Sequence, residues 1–391
     1  MVRSMTPTPS SPSWDSSAAW RELLDGLRDL DATFLEGPKA VRGEQSVVEG
    51  YRFLATVLGV AFDIYLFSDT ARPRFADINT PWRQDRAWGG DNTDAYYAFA
   101  PIDPRRTYRI SGTRGDSIYF SVTIYNEPEP GAWSNRVVGI VNDSDLSFDD
   151  EGRFSFLVGP ERPDGYGGAF VELTDDAAAA VTRDYQLQPE RGRRVEWVIE
   201  SLDPPDSYRY TDEANAAAMR TALRWVREMF AIVPLTVEPR GDDDTTLGHN
   251  SPVGANTCAA PYQVPDANYG WSARDACYSF GSFSLRSGEA LVITHRPPDC
   301  RFWSLMVWNP YMAGYNADYA RTSINHGSAH PNADGTVTAV IALDQLDHPN
   351  SISTIGHEEG VIAFRWFHAD EVPDTPVVEV VAASAAPRTT S

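Results

Sequence analysis

From about residue 96 the apolar residues recur at every second position, and that two-residue period decides what the chain can fold into. Residues 106–110 alternate, and 116–125 read as a strand rich in Ile, Tyr, Phe, Val and Thr, side chains that suit a pleated, half-buried surface. Further strands are expected at 137–141, 153–158, 169–173 and 194–199. A second set is expected at 290–295, 302–308, 336–343, 361–367 and 377–381. Gly, Pro and Asp clusters separate them, and Asp334-Gly335 is a tight-turn signal before a strand. This is the rhythm of sandwiches and barrels. No long βαβ alternation occurs, which argues against Rossmann and TIM-barrel readings, and no repeat of 20–50 residues stands out.

A 3.6-residue period precedes the strands. Asp15, Ser16 and Ser17 can cap a helix whose apolar positions are Trp20, Leu23, Leu24, Leu27, Leu30 and Phe34, with Gly37-Pro38 to end it. A second helix is expected over 44–66; it is apolar on most faces from Tyr51 and so should be buried. A third begins at Thr211-Asp212-Glu213, runs through Ala218, Met219, Leu223, Val226 and Phe230, and stops at Pro234. The expected class is therefore mainly β with helical additions: two β-sandwich or jelly-roll-like units and an N-terminal helical segment. The expected division is a disordered leader (1–13), the helical segment (14–68), a first β-rich domain with a long helix near 211–231 (69–240), and a C-terminal β domain (241–391). The acidic run Asp242-Asp243-Asp244 marks the last boundary.

Composition limits the function. The 391 residues are 42% hydrophobic and 12% aromatic, ample for buried cores. A net charge of -22 repels phosphate backbones and anionic membranes, so neither nucleic acid nor a membrane surface is an expected partner. Lys39 is the only lysine and has no phosphate-binding motif beside it, which argues against pyridoxal phosphate and ordinary ATP chemistry. No cofactor is expected. The N-terminus has no apolar signal core, the longest uncharged apolar stretch (53–62) is too short to span a bilayer, and no C-x-x-C pair occurs. Cytoplasmic residence with Cys258, Cys277 and Cys300 as free thiols is the expectation, although Cys258 with Cys277 could form a disulfide.

Two blocks of sequence resemble a known family. The first runs Gly89-Gly90-Asp91-Asn92-Thr93-Asp94-Ala95-Tyr96-Tyr97 and then from Tyr108 to Gly115. The second runs from Phe302-Trp303-Ser304-Leu305 through Trp308-Asn309-Pro310-Tyr311-Met312, Asn332 to Val337 and His348-Pro349-Asn350. It closes on Gly356-His357-Glu358-Glu359-Gly360 and Phe364-Arg365-Trp366. This order resembles DUF1254/DUF1214 proteins over about 40–385. The resemblance implies β-sandwich or jelly-roll architecture with helical additions and assigns no reaction. Thr93 and Ser351 depart from the pattern, where proline and tryptophan are expected.

The candidate chemistry lies late in the chain. His357 is flanked by glycines and followed by Glu358-Glu359; a carboxylate beside an imidazole prepares a general base or acid, while the plain alternative is a turn histidine bonded to backbone. Arg365, on the next strand, could hold an anionic group. His295 ends a strand where it could face a site or cap a loop. His326 and His330, with Asp318, could hold a metal only if helical, and Gly327 and Pro331 argue for a loop. Residues 250–283 read as a long loop carrying Asn256, Tyr269 and Trp271; with Trp303, Trp308 and Tyr311 these could wall a ligand or simply pack on the sandwich. Asp91 and Asp94 are read as turn formers, and Arg109 and Arg114 as loop ties.

The function read from this pattern is an enzyme of hydrolase or lyase type. Its substrate would be a small apolar or ring-shaped molecule in an aromatic pocket, with His357 or His295 moving the proton. Arg365, Trp271, Tyr269, Trp303, Trp308, Tyr311 and Asn256 would hold the molecule. The alternatives are a non-catalytic carbohydrate- or small-molecule-binding module and a metal-dependent β-sandwich enzyme.

Overall fold

The computed structural model describes residues 13–36, 39–41, 43–205, 210–235, 245–246, 252–267 and 270–388. Residues 1–12 of the leader, Gly37-Pro38 and the run Asp242-Asp243-Asp244 lie outside the described residues. Three long helices form as the 3.6-residue period predicts: α1 (Asp15–Leu35), α2 (Gly43–Ala61), which continues into a π-turn over Phe62–Leu66, and α3 (Asp212–Ile232). No described helix is long and apolar enough to cross a membrane.

The first group of strands is β1 (Ala76–Asn79), β2 (Ala95–Pro101), β3 (Tyr108–Thr113), β4 (Tyr119–Asn126), β5 (Val137–Asn142), β6 (Arg153–Gly159), β7 (Phe170–Glu172), β8 (Ala177–Tyr185) and β9 (Glu196–Ser201). The second group begins with four two-residue strands, β10 (Thr245–Thr246), β11 (Pro252–Val253), β12 (Thr257–Cys258) and β13 (Tyr262–Gln263). It continues with β14 (Ala276–Ser284), β15 (Glu289–His295), β16 (Phe302–Trp308) and β17 (Ser323–Asn325). β18 (Val337–Ala342), β19 (Ser351–Ser353), β20 (Glu359–Phe367) and β21 (Val377–Ala382) complete it.

The two groups repeat one topology. The first makes a five-stranded sheet, β1-β2-β8-β4-β5, and a four-stranded sheet, β7-β6-β3-β9. The second makes β12-β14-β20-β16-β17 and β19-β18-β15-β21, the same orders with each strand replaced by its later counterpart. Even the parallel pair recurs: β6 with β7, and β18 with β19, while the other long pairings are antiparallel. Each pair of sheets encloses an aliphatic and aromatic core. Phe120, Val122 and Ile124 of β4 meet Ile110 and Phe156 in the first; Ile362, Phe364 and Trp366 of β20 meet Leu291 and Ile341 in the second.

The larger sheets are buried on both faces. Every residue of β4, and all but the first of β20, is buried. Alternation therefore survives as chemistry rather than as exposure. One face of β4 carries Phe, Val and Ile into the sandwich, and the other carries Tyr119, Ser121, Thr123 and Tyr125 into a third core. That core lies where the outer faces of the two large sheets meet under the helices, and it joins Tyr97, Val181 and Tyr185 to Tyr278, Phe302 and Phe367 and to Phe34, Phe53, Trp225 and Met229.

The helices are fixed by specific contacts. The N-terminal amides of α1 are capped from another helix: Asp212 at the start of α3 accepts from Asp15 N at 2.7 Å and from Ser16 N at 3.0 Å. This replaces the local cap expected from Asp15 to Ser17. Thr211 caps α3 as expected, accepting from Ala214 N at 3.1 Å. Lys39 Nζ donates to Ala231 O at 2.5 Å, near the negative end of α3. Gly50 lets α2 approach closely, because a Cβ there would stand 2.5 Å from Tyr311 Oη and 2.7 Å from Phe34. Phe34 is fully buried against Tyr51, Phe230 and Tyr311, whereas Trp20 on the same helix is 49% exposed.

Deleting the Phe34 ring should therefore cost about 3–5 kcal/mol. Trp20→Ala should cost within about 0.5 kcal/mol. Urea unfolding of both variants measures this; equal small effects would mean that α1 is not docked on the β core.

Candidate functional site

A cavity of about 550 Å³ lies where the two large sheets face each other. Its walls come from both halves: Tyr97, Val181 and Arg183 from the first sheet, Tyr278, Phe280, Trp308, Val361 and Arg365 from the second, and Met229 and Ile232 from α3. Trp88, Trp133 and Trp271 close it from the connecting segments. These three rings pack with Trp225 at centroid distances of 5.1 to 6.2 Å, edge-on or tilted, as ring quadrupoles prefer. Trp88 is oriented by its Nε1–H, which donates to Ile78 O at 2.7 Å.

Two buried arginines enter this apolar space. Arg183 is 2% exposed and Arg365 is 5% exposed. Arg183 donates to Thr123 Oγ1 at 2.9 Å and, through Nη2, to Tyr125 Oη and Trp271 O, both at 2.7 Å. Arg365 donates through Nη1 to Tyr97 Oη at 3.3 Å and through Nη2 to the carbonyls of Gly90 and Asp91. A guanidinium has five N–H donors. Each arginine thus keeps two without an acceptor among the described residues, and Arg365 Nε is fully buried without a partner. Neither makes an ion pair with a carboxylate among the described residues. Burial works against both cations, and surrounding tyrosine oxygens work for them, with a net upward shift in pKa; both stay charged.

Local sequence explains how Arg365 is seated. Gly89 and Gly90 adopt φ of 62° and 78°, a left-handed pair that turns the Gly90 carbonyl onto the guanidinium. Gly90 N donates to Met312 O at 2.8 Å, and Trp308 Nε1 donates to Asp91 O at 3.1 Å, so the turn is held from the second sheet. The Trp308 ring lies 5.2 Å from Arg365 Cζ, and the Tyr278 ring 5.9 Å. Behind this turn stand two buried carboxyl groups. Asp91 Oδ1 accepts from Gly314 N at 2.8 Å, and Asp94 Oδ1 accepts from Asn325 Nδ2 at 2.9 Å. Burial pushes both up to about 7, against the pull of these donors and of Arg365.

The two arginines occupy equivalent places in the duplicated topology. Each lies on the strand at the middle of its sheet order, opposite a serine: Arg183 faces Ser121, and Arg365 faces Ser304. Tyr278 pairs with Arg365, and Tyr97 occupies the matching place on β2. A sequence signal accompanies this. Asp94-Ala95-x-Tyr97-x-Phe99 recurs as Asp275-Ala276-x-Tyr278-x-Phe280. Asp116-x-x-Tyr119-Phe120-Ser121, ending in Asn126, recurs as Asp299-x-x-Phe302-Trp303-Ser304, ending in Asn309. A search at half the chain length would have found Arg183 and Tyr97, which scanning for short repeats missed.

Of the residues singled out from sequence, Arg365, Trp271 and Trp308 meet in the cavity. Tyr269 lies outside the described residues. Trp303 points into the second sandwich, on the opposite face of its sheet. Tyr311 anchors α2, donating to Ser46 O at 2.8 Å. Asn256, at φ 60°, clamps Ser284 by two hydrogen bonds of 2.9 Å. His295 lies inside the second sandwich against Trp303 and Phe364 rather than at its mouth; burial lowers its pKa to about 4, so it is a neutral ring there. His357 is beside a separate cleft of about 480 Å³. Its Nδ1 donates to Thr354 O at 2.6 Å, and Nε2 stands 2.5 Å from Glu49 Oε1. Glu49, on α2, is thus the carboxylate that meets His357, in place of the adjacent Glu358 and Glu359.

The remaining expectations resolve as follows. The segment 250–283, read as a long loop, contains most of β14 and two-residue strands paired to it. Asn92 makes the Asx turn of the first block, accepting from Asp94 N at 2.8 Å. Arg109 pairs with Glu200 at 2.6 Å, and Arg114 with Asp143 at 3.8 Å. The three cysteines are free thiols, and burial raises the pKa of each. Among the described residues no three His, Cys, Asp or Glu side chains are grouped to hold a metal, so His326, His330 and Asp318 do not assemble one.

The raised pKa of Asp94 makes stability depend on pH. The carboxyl ionises near 3.8 when exposed and near 7 in the fold, so the folded chain holds the proton more tightly. Its contribution is complete below about 4 and is lost as pH rises through about 7. Asp94→Asn retains the Oδ1 acceptor and should flatten that decline by up to about 1.4 kcal/mol per pH unit. Unfolding free energies from pH 4 to 8 measure it, and identical slopes for variant and parent would refute the assignment.

Comparison with known proteins adds fold and family. No curated protein matches the chain. The crystal structure of an uncharacterized protein from Burkholderia cenocepacia is similar over 95% of this chain and 98% of its own, at TM-score 0.81 and 23% identity. That likeness bears on the fold alone. The VPA0106 protein from Vibrio parahaemolyticus aligns over 91% of this chain and all of its own, at 12% identity and a TM-score of 0.48. Residues 287–371, which run from β15 through β20, match the family described as "Protein of unknown function (DUF1214)".

Proposed function

We propose that this protein binds a small, largely apolar, ring-bearing molecule in the cavity between its two large sheets. The observation that carries the reading is the convergence of Trp88, Trp133, Trp271 and Trp308 on one space of about 550 Å³. That volume is in the range of small-molecule sites, and aromatic walls with a few polar groups are their usual lining. A carbohydrate platform would need exposed rings. Trp88, Trp133 and Trp308 are instead buried, which favours an enclosed apolar ring over a surface sugar. Three free thiols suit a reducing compartment and support a cytoplasmic site of action.

The hydrolase or lyase reading of the same cavity rests on Tyr97. Neither His295 nor His357 lines it. Tyr97 Oη lies 2.6 Å from Tyr185 Oη and 3.3 Å from Arg365 Nη1. Burial raises its pKa, so it is held as a neutral phenol that can donate a proton to a leaving group.

Tryptophan emission should report occupancy, because four indoles surround the space. Titration with neutral and charged ring compounds is expected to change the emission, and Trp271→Ala to weaken binding about tenfold or more, roughly 1.4 kcal/mol. A panel that leaves both proteins' emission unchanged would sink the binding reading. For catalysis, Tyr97→Phe should abolish turnover of a bound substrate while leaving its affinity within about threefold; retained turnover would remove Tyr97 from the chemistry.

A further inference from the structure

We infer that the molecule held in this cavity is an organic acid, a ring carboxylate whose anionic head is seated between Arg183 and Arg365. The inference rests on the proposal that the aromatic cavity is a ligand site. It adds the chemical class.

Two permanent cations project into one apolar space, and neither has a carboxylate partner among the described residues. A buried charge without a counter-ion is among the most costly features a fold can carry. Among the described residues four guanidinium N–H groups find no acceptor, one of them the buried Arg365 Nε–H. A carboxylate has two acceptor oxygens and can take a donor from each guanidinium.

The cations also converge. Both arginines line the one cavity, and the hydroxyls of Tyr97, Tyr185 and Tyr278 act on the charge of each. The duplicated topology explains the convergence: equivalent central strands face each other and bring equivalent arginines to one space. The second half also contributes Tyr278, whose hydroxyl can donate to a carboxylate oxygen. The rest of the cavity is indole and aliphatic surface, which suits the ring.

Asp91 and Asp94 are the nearest source of internal neutralisation for Arg365, and burial leaves both largely able to hold a proton near neutrality. They face Gly314 and Asn325 rather than the cavity. The anionic place beside the guanidinium is therefore left to a ligand.

The test compares 2-naphthoate with its neutral isostere 2-naphthamide, titrated against the full chain by tryptophan fluorescence and by calorimetry. Tenfold or greater preference for the carboxylate is expected, the range of a charge-assisted pair. Arg365→Gln and Arg183→Gln should each reduce that preference at least fivefold, with unchanged circular dichroism. Should a variant fail to fold, the wild-type comparison decides alone. Equal affinity of the two probes would overturn the anionic head while leaving the cavity as a ligand site. Binding of neither probe, with no response from any ring compound in the wider panel, would overturn both. A carboxylate preference that Trp271→Ala leaves unchanged in affinity would place the anion elsewhere and likewise overturn the assignment.

Discussion

The seating of Arg365 is the constraint on which the rest of this structure depends. Its guanidinium is carried by the central strand of the second large sheet, yet three of its hydrogen bonds go to the first half of the chain, at Gly90, Asp91 and Tyr97. Desolvating such a cation costs several kcal/mol, and carbonyl oxygens and ring faces offset only part of that cost. The surroundings are built accordingly. Two glycines in left-handed conformation present a carbonyl, Trp308 holds that turn by its own N–H, and Asp91 ties it to Gly314. Removing any one of these would leave a buried donor or acceptor unmatched. The two sandwiches are joined, in effect, by the same group that polarises the cavity between them.

Duplication explains why such an arrangement arises. Two units of identical strand order, apposed through their large sheets, bury both faces of each sheet and leave one shared space at the junction. Residues at equivalent positions then meet there. Arg183 and Arg365, Ser121 and Ser304, and Tyr97 and Tyr278 are three such pairs. The halves differ where asymmetry is useful: Arg183 is held by Thr123 and Tyr125 of its own sheet, whereas Arg365 reaches across. Helices α1 to α3 cover the junction, and the cap that Asp212 provides to α1 ties the first helix to the third.

Much of this could be read from the residues alone, and the exceptions have physical causes. Strands with β-branched and aromatic alternation, such as β4, β16 and β20, were legible because their composition suits a pleated surface. The central strand β8 was not. Its run Ala177-Ala178-Ala179-Ala180 has the composition of a helix, and only neighbours on both sides make it a strand. β14 was hidden for a related reason: Gly281 sits where β12 approaches, and a Cβ there would lie 2.3 Å from Thr257 O, so small residues interrupt its pattern. Losing β8 concealed Arg183. Arg365, Trp271 and Trp308 were legible because unpaired polar and aromatic residues in a β context point to sites. Trp303 was misdirected by parity, since a neighbour in the same strand faces the other way. His295 and His357 drew attention by residue type, but their surroundings are a sandwich interior and a clip to Glu49.

The most direct measurement of the central claim is a crystal structure of the full chain with a brominated naphthoate. The account predicts one anomalous peak inside the cavity among Trp133, Trp271 and Trp308, with the carboxylate within hydrogen-bonding distance of the Arg365 and Arg183 guanidiniums. A bromine peak outside the cavity, or a carboxylate turned away from both guanidiniums, would contradict it.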